Sequence, residues 1–122
     1  KVIEGFDVSY FDVDDTLVSW DTELIHNNPE DCLTFQLTKE PHTTYRLFPI
    51  QKTIDALIEC KKHGGTVVVW SAGGWDWAKT VVETLDIEEY VDLVISKPTR
   101  FYDDLPASEF MGTRYDFSKD LK

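Results

Sequence analysis

Three carboxylates, Asp12, Asp14 and Asp15, crowd directly behind a short apolar stretch, Val8-Ser9-Tyr10-Phe11. The stretch reads as a buried strand. A buried strand that ends in clustered acids suits few folds, because like charges this close repel and burial strips water from them. Such a strand end must open onto something that cancels the charge, and a hard divalent cation with oxygen ligands is the commonest agent. The alternative is an Asp-rich turn that caps the following element, since Asp and Thr both favour turns and N-caps. Taken alone, the run Phe11-Asp12-Val13-Asp14-Asp15-Thr16-Leu17 leaves both readings open.

The 122 residues suit a single domain over positions 1–122. A chain of this size buries roughly two-thirds of its unfolded surface and needs no disulfides for stability. Cys32 and Cys60 have no metal-ligand spacing, so reduced thiols and a cytoplasmic setting are expected; no secretory leader pattern is seen. The net charge of −11 argues against a nucleic-acid partner, whose phosphates would be repelled before contact. No apolar run approaches the roughly 18 residues of a membrane span, so no membrane partner is expected. An acidic protein that handles phosphate would need a cation and local positive dipoles at its site.

Between residues 18 and 48 the chain is polar and irregular, with turn signals at Asn27-Asn28-Pro29 and Glu40-Pro41. Leu33 to Leu37 alternates as a half-buried strand does, and Tyr45-Arg46-Leu47 is its candidate partner, which predicts a hairpin or flap inserted after the first strand. Pro49 then opens a helix whose Ile50, Ile54, Leu57 and Ile58 share one face, and His63-Gly64-Gly65 stops it. Thr66 to Trp70 is apolar and β-branched throughout, the pattern of a parallel strand covered on both faces. A glycine turn, Ser71-Ala72-Gly73-Gly74, leads into a helix over Asp76 to Leu85, with Ala78, Val81, Val82 and Leu85 as its stripe. Further strands are predicted over Val91–Ile95 and Thr99–Tyr102, and an edge strand over Met111–Phe117. This order predicts an α/β domain with a mainly parallel sheet.

In such sheets ligands bind beyond the carboxyl ends of the strands. Asp12 and Asp14 follow the first strand, Ser71 the second, Lys97 the third, and Asp103-Asp104 the segment ending at Tyr102. Acids, a hydroxyl, a cation and further acids thus fall along one sheet edge. With these groups in this order, the chain resembles the haloacid-dehalogenase-like (HAD) phosphohydrolase superfamily. Asp12-Val13-Asp14-Asp15-Thr16 fits its Asp-x-Asp-x-Thr motif, Ser71 its strand-ending hydroxyl, Lys97 its lone lysine and Asp103-Asp104 its acidic pair. The match runs from Val8 to about Pro106.

The resemblance implies a Rossmann-like three-layer sandwich and a Mg²⁺-dependent phosphatase. Asp12 would attack phosphorus to form an aspartyl-phosphate, splitting one hard step into two. Mg²⁺ would be held by Asp12, the backbone carbonyl of Asp14, and Asp103 or Asp104, with Asp103 favoured. Asp14 would act as general acid and then base. Ser71 and the amides of Val13, Asp14 and Ala72 would cradle the phosphoryl oxygens, and Lys97 would offset their charge. Each residue also has a plainer reading: Ser71 as a turn residue, Lys97 as surface charge, and Asp103-Asp104 as a helix cap. Trp75 and Trp77 read as packing rather than substrate stacking. His26, His42 and His63 show no metal spacing.

Two departures from the family pattern stand out. Position 15 is Asp where many members carry Gly, and residues 18–48 are too few for a folded cap domain. An open site of this kind suits a phosphorylated metabolite, a nucleotide or a phosphoprotein. A phosphoacceptor domain of the receiver type would need its accepting Asp after a central strand, where this chain has Ser71. A binding module that keeps the fold without turnover is the other alternative.

Overall fold

The computed structural model describes residues 7–37 and 39–119; the expected domain over 1–122 and flap over 18–48 also include positions outside these. Strands β1 (Val8–Asp12), β5 (Thr66–Ser71) and β6 (Leu93–Ser96) form a parallel sheet in the order β1-β5-β6. The register pairs Asp12 with Trp70 and Ser71 with Ser96, so the three carboxyl ends lie side by side. Alternation along β5 sends Val67 and Val69 to one face. There they join Ile54 and Leu57 of α2 (Gln51–Lys62) and Ala78, Val81 and Val82 of α3 (Trp75–Thr84) in a single core cluster.

The apolar stripes predicted for both helices are thus the faces they bury. Helix α2 is tied to the first loop where the Ile50 N–H donates to the Leu17 carbonyl at 2.9 Å. It stops where Gly64 turns to φ +86° and Gly65 donates back to the Cys60 carbonyl at 3.0 Å. A Cβ at Gly65 would sit 2.9 Å from that same carbonyl oxygen, so the close return of the chain requires glycine.

The opposite face of the sheet differs from expectation. Val68 is buried, but its register neighbours Tyr10 and Leu93 are 49% and 55% exposed. Both crossovers step in one direction, from β1 to β5 to β6, and right-handed crossovers of that kind place their helices on one face.

The flap region forms a second sheet, antiparallel in the order β2-β4-β3, from β2 (Val18–Ser19), β3 (Leu33–Gln36) and β4 (Thr44–Pro49). The predicted hairpin is therefore present, and Phe35 and Leu47 drop from it into the common core. A short helix, α1 (Thr22–Asn27), had no clear sequence signal beyond its cap: Asp21 Oδ1 accepts the Glu23 and Leu24 N–H groups.

Two predicted strands are absent. Thr99–Tyr102 pairs with no strand among the described residues; Phe101 packs instead on Phe110 of α4 (Ala107–Phe110), with ring centres 5.8 Å apart. Met111–Phe117 is likewise not a strand, and its end is turned by Asp116, whose Oδ1 accepts the Ser118 N–H at 2.9 Å. In both segments local contacts replace ladder bonds. No helix among the described residues is long and apolar enough to cross a membrane.

Candidate active site

Asp12 ends β1 at the carboxyl edge of the parallel sheet. Its Oδ1 lies 3.2 Å from the Lys97 ammonium, which arrives from the end of β6, and its Oδ2 accepts the Thr16 hydroxyl at 3.2 Å. Lys97 is held in place because its N–H donates to the Ser71 carbonyl at 2.9 Å, continuing the β5–β6 ladder by one residue. Its ammonium also lies 5.8 Å from the centre of the Trp70 ring. Asp12 and Lys97 are each about one-third exposed, so the pair can meet a ligand from solvent.

The loop after Asp12 coils tightly. The Val13 carbonyl accepts N–H groups from Thr16, Leu17 and Val18, and Val13 and Leu17 are fully buried beneath the turn. Asp15 takes φ +61°, a left-handed conformation that Asp tolerates better than most residues. Its Oδ1 accepts the Trp20 N–H at 3.1 Å, which keeps the carboxylate within the turn. Asp14 projects the other way, into a cleft of about 570 Å³ lined also by Trp20, Tyr45, Gly73 and Trp77.

Ser71 is fully buried at the end of β5, and its hydroxyl oxygen accepts the Gly73 N–H at 2.9 Å. That bond shapes the glycine turn that leads to α3, whose first amide, Trp75 N–H, donates to Ser96 Oγ at 2.9 Å. Gly73 stays open because a Cβ there would press at 3.3 Å on both Ser71 Oγ and Trp77. The far rim of the cleft is stapled by an ion pair between Lys39 of the flap loop and Asp76 of α3 at 3.2 Å. Hydrogen bonding from Lys39 holds the Asp76 carboxyl below the usual carboxylate range.

The structure thus gathers Asp12, Lys97 and Thr16 in direct contact, with Ser71 joined through the Lys97 backbone and Asp14 on the neighbouring cleft wall. Among the described residues the acidic pair makes no hydrogen bond or ion pair with them. Asp103 and Asp104 are exposed, and Asp103 Oδ1 instead accepts the Leu105 N–H at 2.9 Å. Among the described residues no three acidic, histidine or cysteine side chains converge as a metal cage. His26, His42 and His63 lie exposed, in keeping with their lack of spacing.

Sequence patterns gave no hint of one feature: both Trp20 and Trp77 donate indole N–H bonds to Asp14. Trp77 is a core residue, as expected from its place on α3, but the packing role is only part of what it does. Thr16 belonged to the first motif without an assigned duty, and its bond to Asp12 supplies one. Comparison of the chain with family models, with curated proteins and with solved structures gives no match.

Proposed function

We propose that the chain is a phosphohydrolase of the HAD-like type, acting on phosphate monoesters through an aspartyl-phosphate on Asp12. One observation carries the reading: the Asp12 carboxylate stands at the end of a parallel strand with the Lys97 ammonium 3.2 Å away. A carboxylate attacks a phosphoryl group only where their mutual repulsion is suppressed, and Lys97 supplies positive charge at that point. The Rossmann-like run of β1, β5 and β6 supports the assignment. A three-layer form would need a further element across Tyr10 and Leu93.

In the first step an Asp12 oxygen bonds to phosphorus while the ester P–O bond breaks toward the leaving oxygen, which takes a proton from Asp14. In the second, Asp14 takes a proton from water as the water oxygen bonds to phosphorus, and the acyl-phosphate bond breaks back to Asp12. Lys97 neutralises charge shared by Asp12 and the phosphoryl oxygens. The exposed Ala72 amide would donate to those oxygens, whereas Ser71 and Val13, both expected to touch phosphate, are fully buried and would shape the loops beneath it.

Mg²⁺ fits this chain only in part. Asp12 and the Asp14 carbonyl are hard oxygen donors adjacent along the chain, and Mg²⁺ needs few protein ligands. The third donor, Asp103 or Asp104, is exposed and bonds to neither of them among the described residues, so no step above passes through the metal. The missing contact favours one second reading, a phosphate- or partner-binding module without turnover. A screen of generic and natural phosphate esters, with and without Mg²⁺ and beside Asp12→Asn, decides between them. Hydrolysis that disappears in Asp12→Asn supports the phosphohydrolase, and phosphate binding without hydrolysis supports the module.

A further inference from the structure

Among the described residues the Asp14 carboxylate is gripped on one side only. Trp20 Nε1 donates to its Oδ1 at 2.7 Å, and Trp77 Nε1 donates to the same oxygen at 3.0 Å. The two rings come from separate parts of the fold. Trp20 follows β2 in the flap sheet, and Trp77 lies in the first turn of α3. Their centres are 6.1 Å apart, and Tyr45 of β4 packs edge-on against both. An indole N–H is a donor only and can never accept. Two such donors fix one carboxylate oxygen in place, and neither ring can relay a proton through it. Proton exchange with anything in the cleft is then confined to Oδ2.

We propose that Trp20 and Trp77 act as a pair of positioning residues for Asp14, anchoring Oδ1 so that Oδ2 alone exchanges the proton with the leaving group and with water. This inference rests on the phosphohydrolase reading above. In the first step the proton on Oδ2 passes to the leaving oxygen as it receives the electron pair of the breaking P–O bond. In the second, Oδ2 takes a proton from the attacking water. The clamp also ties catalysis to the flap, because one of its two donors directly follows β2 of the flap sheet and the other lies in α3.

A structural role for the two rings and a positioning role differ in what they do to different leaving groups. A nitrophenolate departs without help from an acid, whereas an alkoxide needs its proton during bond cleavage. In the full chain with Mg²⁺, Trp20→Phe and Trp77→Phe keep the aromatic packing and remove one donor each. Each is expected to lower kcat/KM, which reports only the leaving-group step, about tenfold for an alkyl phosphate, a part of what general acid catalysis supplies. Hydrolysis of p-nitrophenyl phosphate is expected to fall far less. Equal losses on both esters, or none on either, would overturn the positioning role. Trp20→Phe alters a half-buried ring and keeps the test open should Trp77→Phe fail to fold.

The clamp itself is read without activity. The chain has four tryptophans, so its ¹H–¹⁵N spectrum carries four indole signals. Asp14→Ala should move the two that Trp20→Phe and Trp77→Phe delete, and leave those of Trp70 and Trp75. Unmoved signals overturn the clamp even if the enzyme is active. Moved signals in a protein that hydrolyses no ester support the clamp and count against the phosphohydrolase reading alone.

Discussion

At the scale of single residues, the first loop shows how charge and backbone shape are assigned separate duties. Asp12 is paired with Lys97 and Thr16, Asp14 is held by two indoles, and Asp15 serves the turn. The left-handed φ of Asp15 is one that glycine adopts freely and that Asp tolerates better than most residues. Asp15→Gly is expected to be nearly neutral in stability, since it relieves the backbone and loses one exposed hydrogen bond. Asp15→Val should cost roughly 1–2 kcal/mol, because a β-branched residue resists φ > 0. Urea unfolding of the two variants checks the pair, and a Val variant as stable as wild type would remove the backbone reading. A second residue-scale case is Thr53 in α2, buried at 3% exposure with no partner for its hydroxyl among the described residues. Thr53→Val keeps the shape and removes the unpaired group, so stability should rise by about 1 kcal/mol, seen as a Tm increase of a few degrees.

At the scale of elements, strand ends were legible in the sequence because burial and chemistry change abruptly there. Val67 to Val69 are buried and the next inward residue is Ser71, so apolar runs and the polar residues behind them located Asp12, Ser71 and Lys97 correctly. The hairpin followed from alternation at Leu33–Gln36. The indole clamp was not legible: Trp77 stands 63 positions from Asp14, and only packing of α3 against the flap sheet brings them together. The segment Thr99–Tyr102 misled for a related reason. Phe101 and Tyr102 have strand propensity, but a strand exists only where a neighbour takes its hydrogen bonds, and Tyr102 is 92% exposed.

Element ends also carry the clearest pH dependence. Asp92, just before β6, has its carboxyl held below the usual range by hydrogen bonding from Lys61 and then by the Val67 N–H. A folded pKa below the unfolded value, about 3.9, adds stability above that value and loses it as pH falls through the folded one. Asp92→Asn should therefore be less stable than wild type at neutral pH, with the difference closing in acid. Thermal unfolding between neutral pH and pH 3 reads this, and a gap that widened in acid would contradict it.

At the scale of the whole molecule, the fold has a finished side and an open one. Helices α2 and α3 close one sheet face, and the flap sheet joins the same core through Phe35 and Leu47. The other face leaves Val8, Tyr10 and Leu93 about half exposed. The described residues show one helical layer, with both crossovers stepping from β1 toward β6; a third layer, which the resemblance implies, would need the chain to step back past β1. Asp103 and Asp104 lie exposed on a segment outside the sheet. No strand forms between Lys97 and Leu105 to carry the pair along the sheet edge. The placement of Asp12, Lys97, Ser71 and Asp14 does not depend on that missing strand, which is why the nucleophile is the sharpest point of the functional proposal.

The most direct measurement is therefore made at Asp12. Wild type incubated with a hydrolysable phosphate ester and Mg²⁺ should release phosphate and, on rapid acid quench, carry an acid-stable, hydroxylamine-labile phosphoryl group. Asp12→Asn should carry none and lose hydrolysis by more than about a thousandfold, the scale expected when a covalent nucleophile is removed. Hydrolysis that continues undiminished in Asp12→Asn, or a phosphoryl group found on another residue, would contradict the assignment.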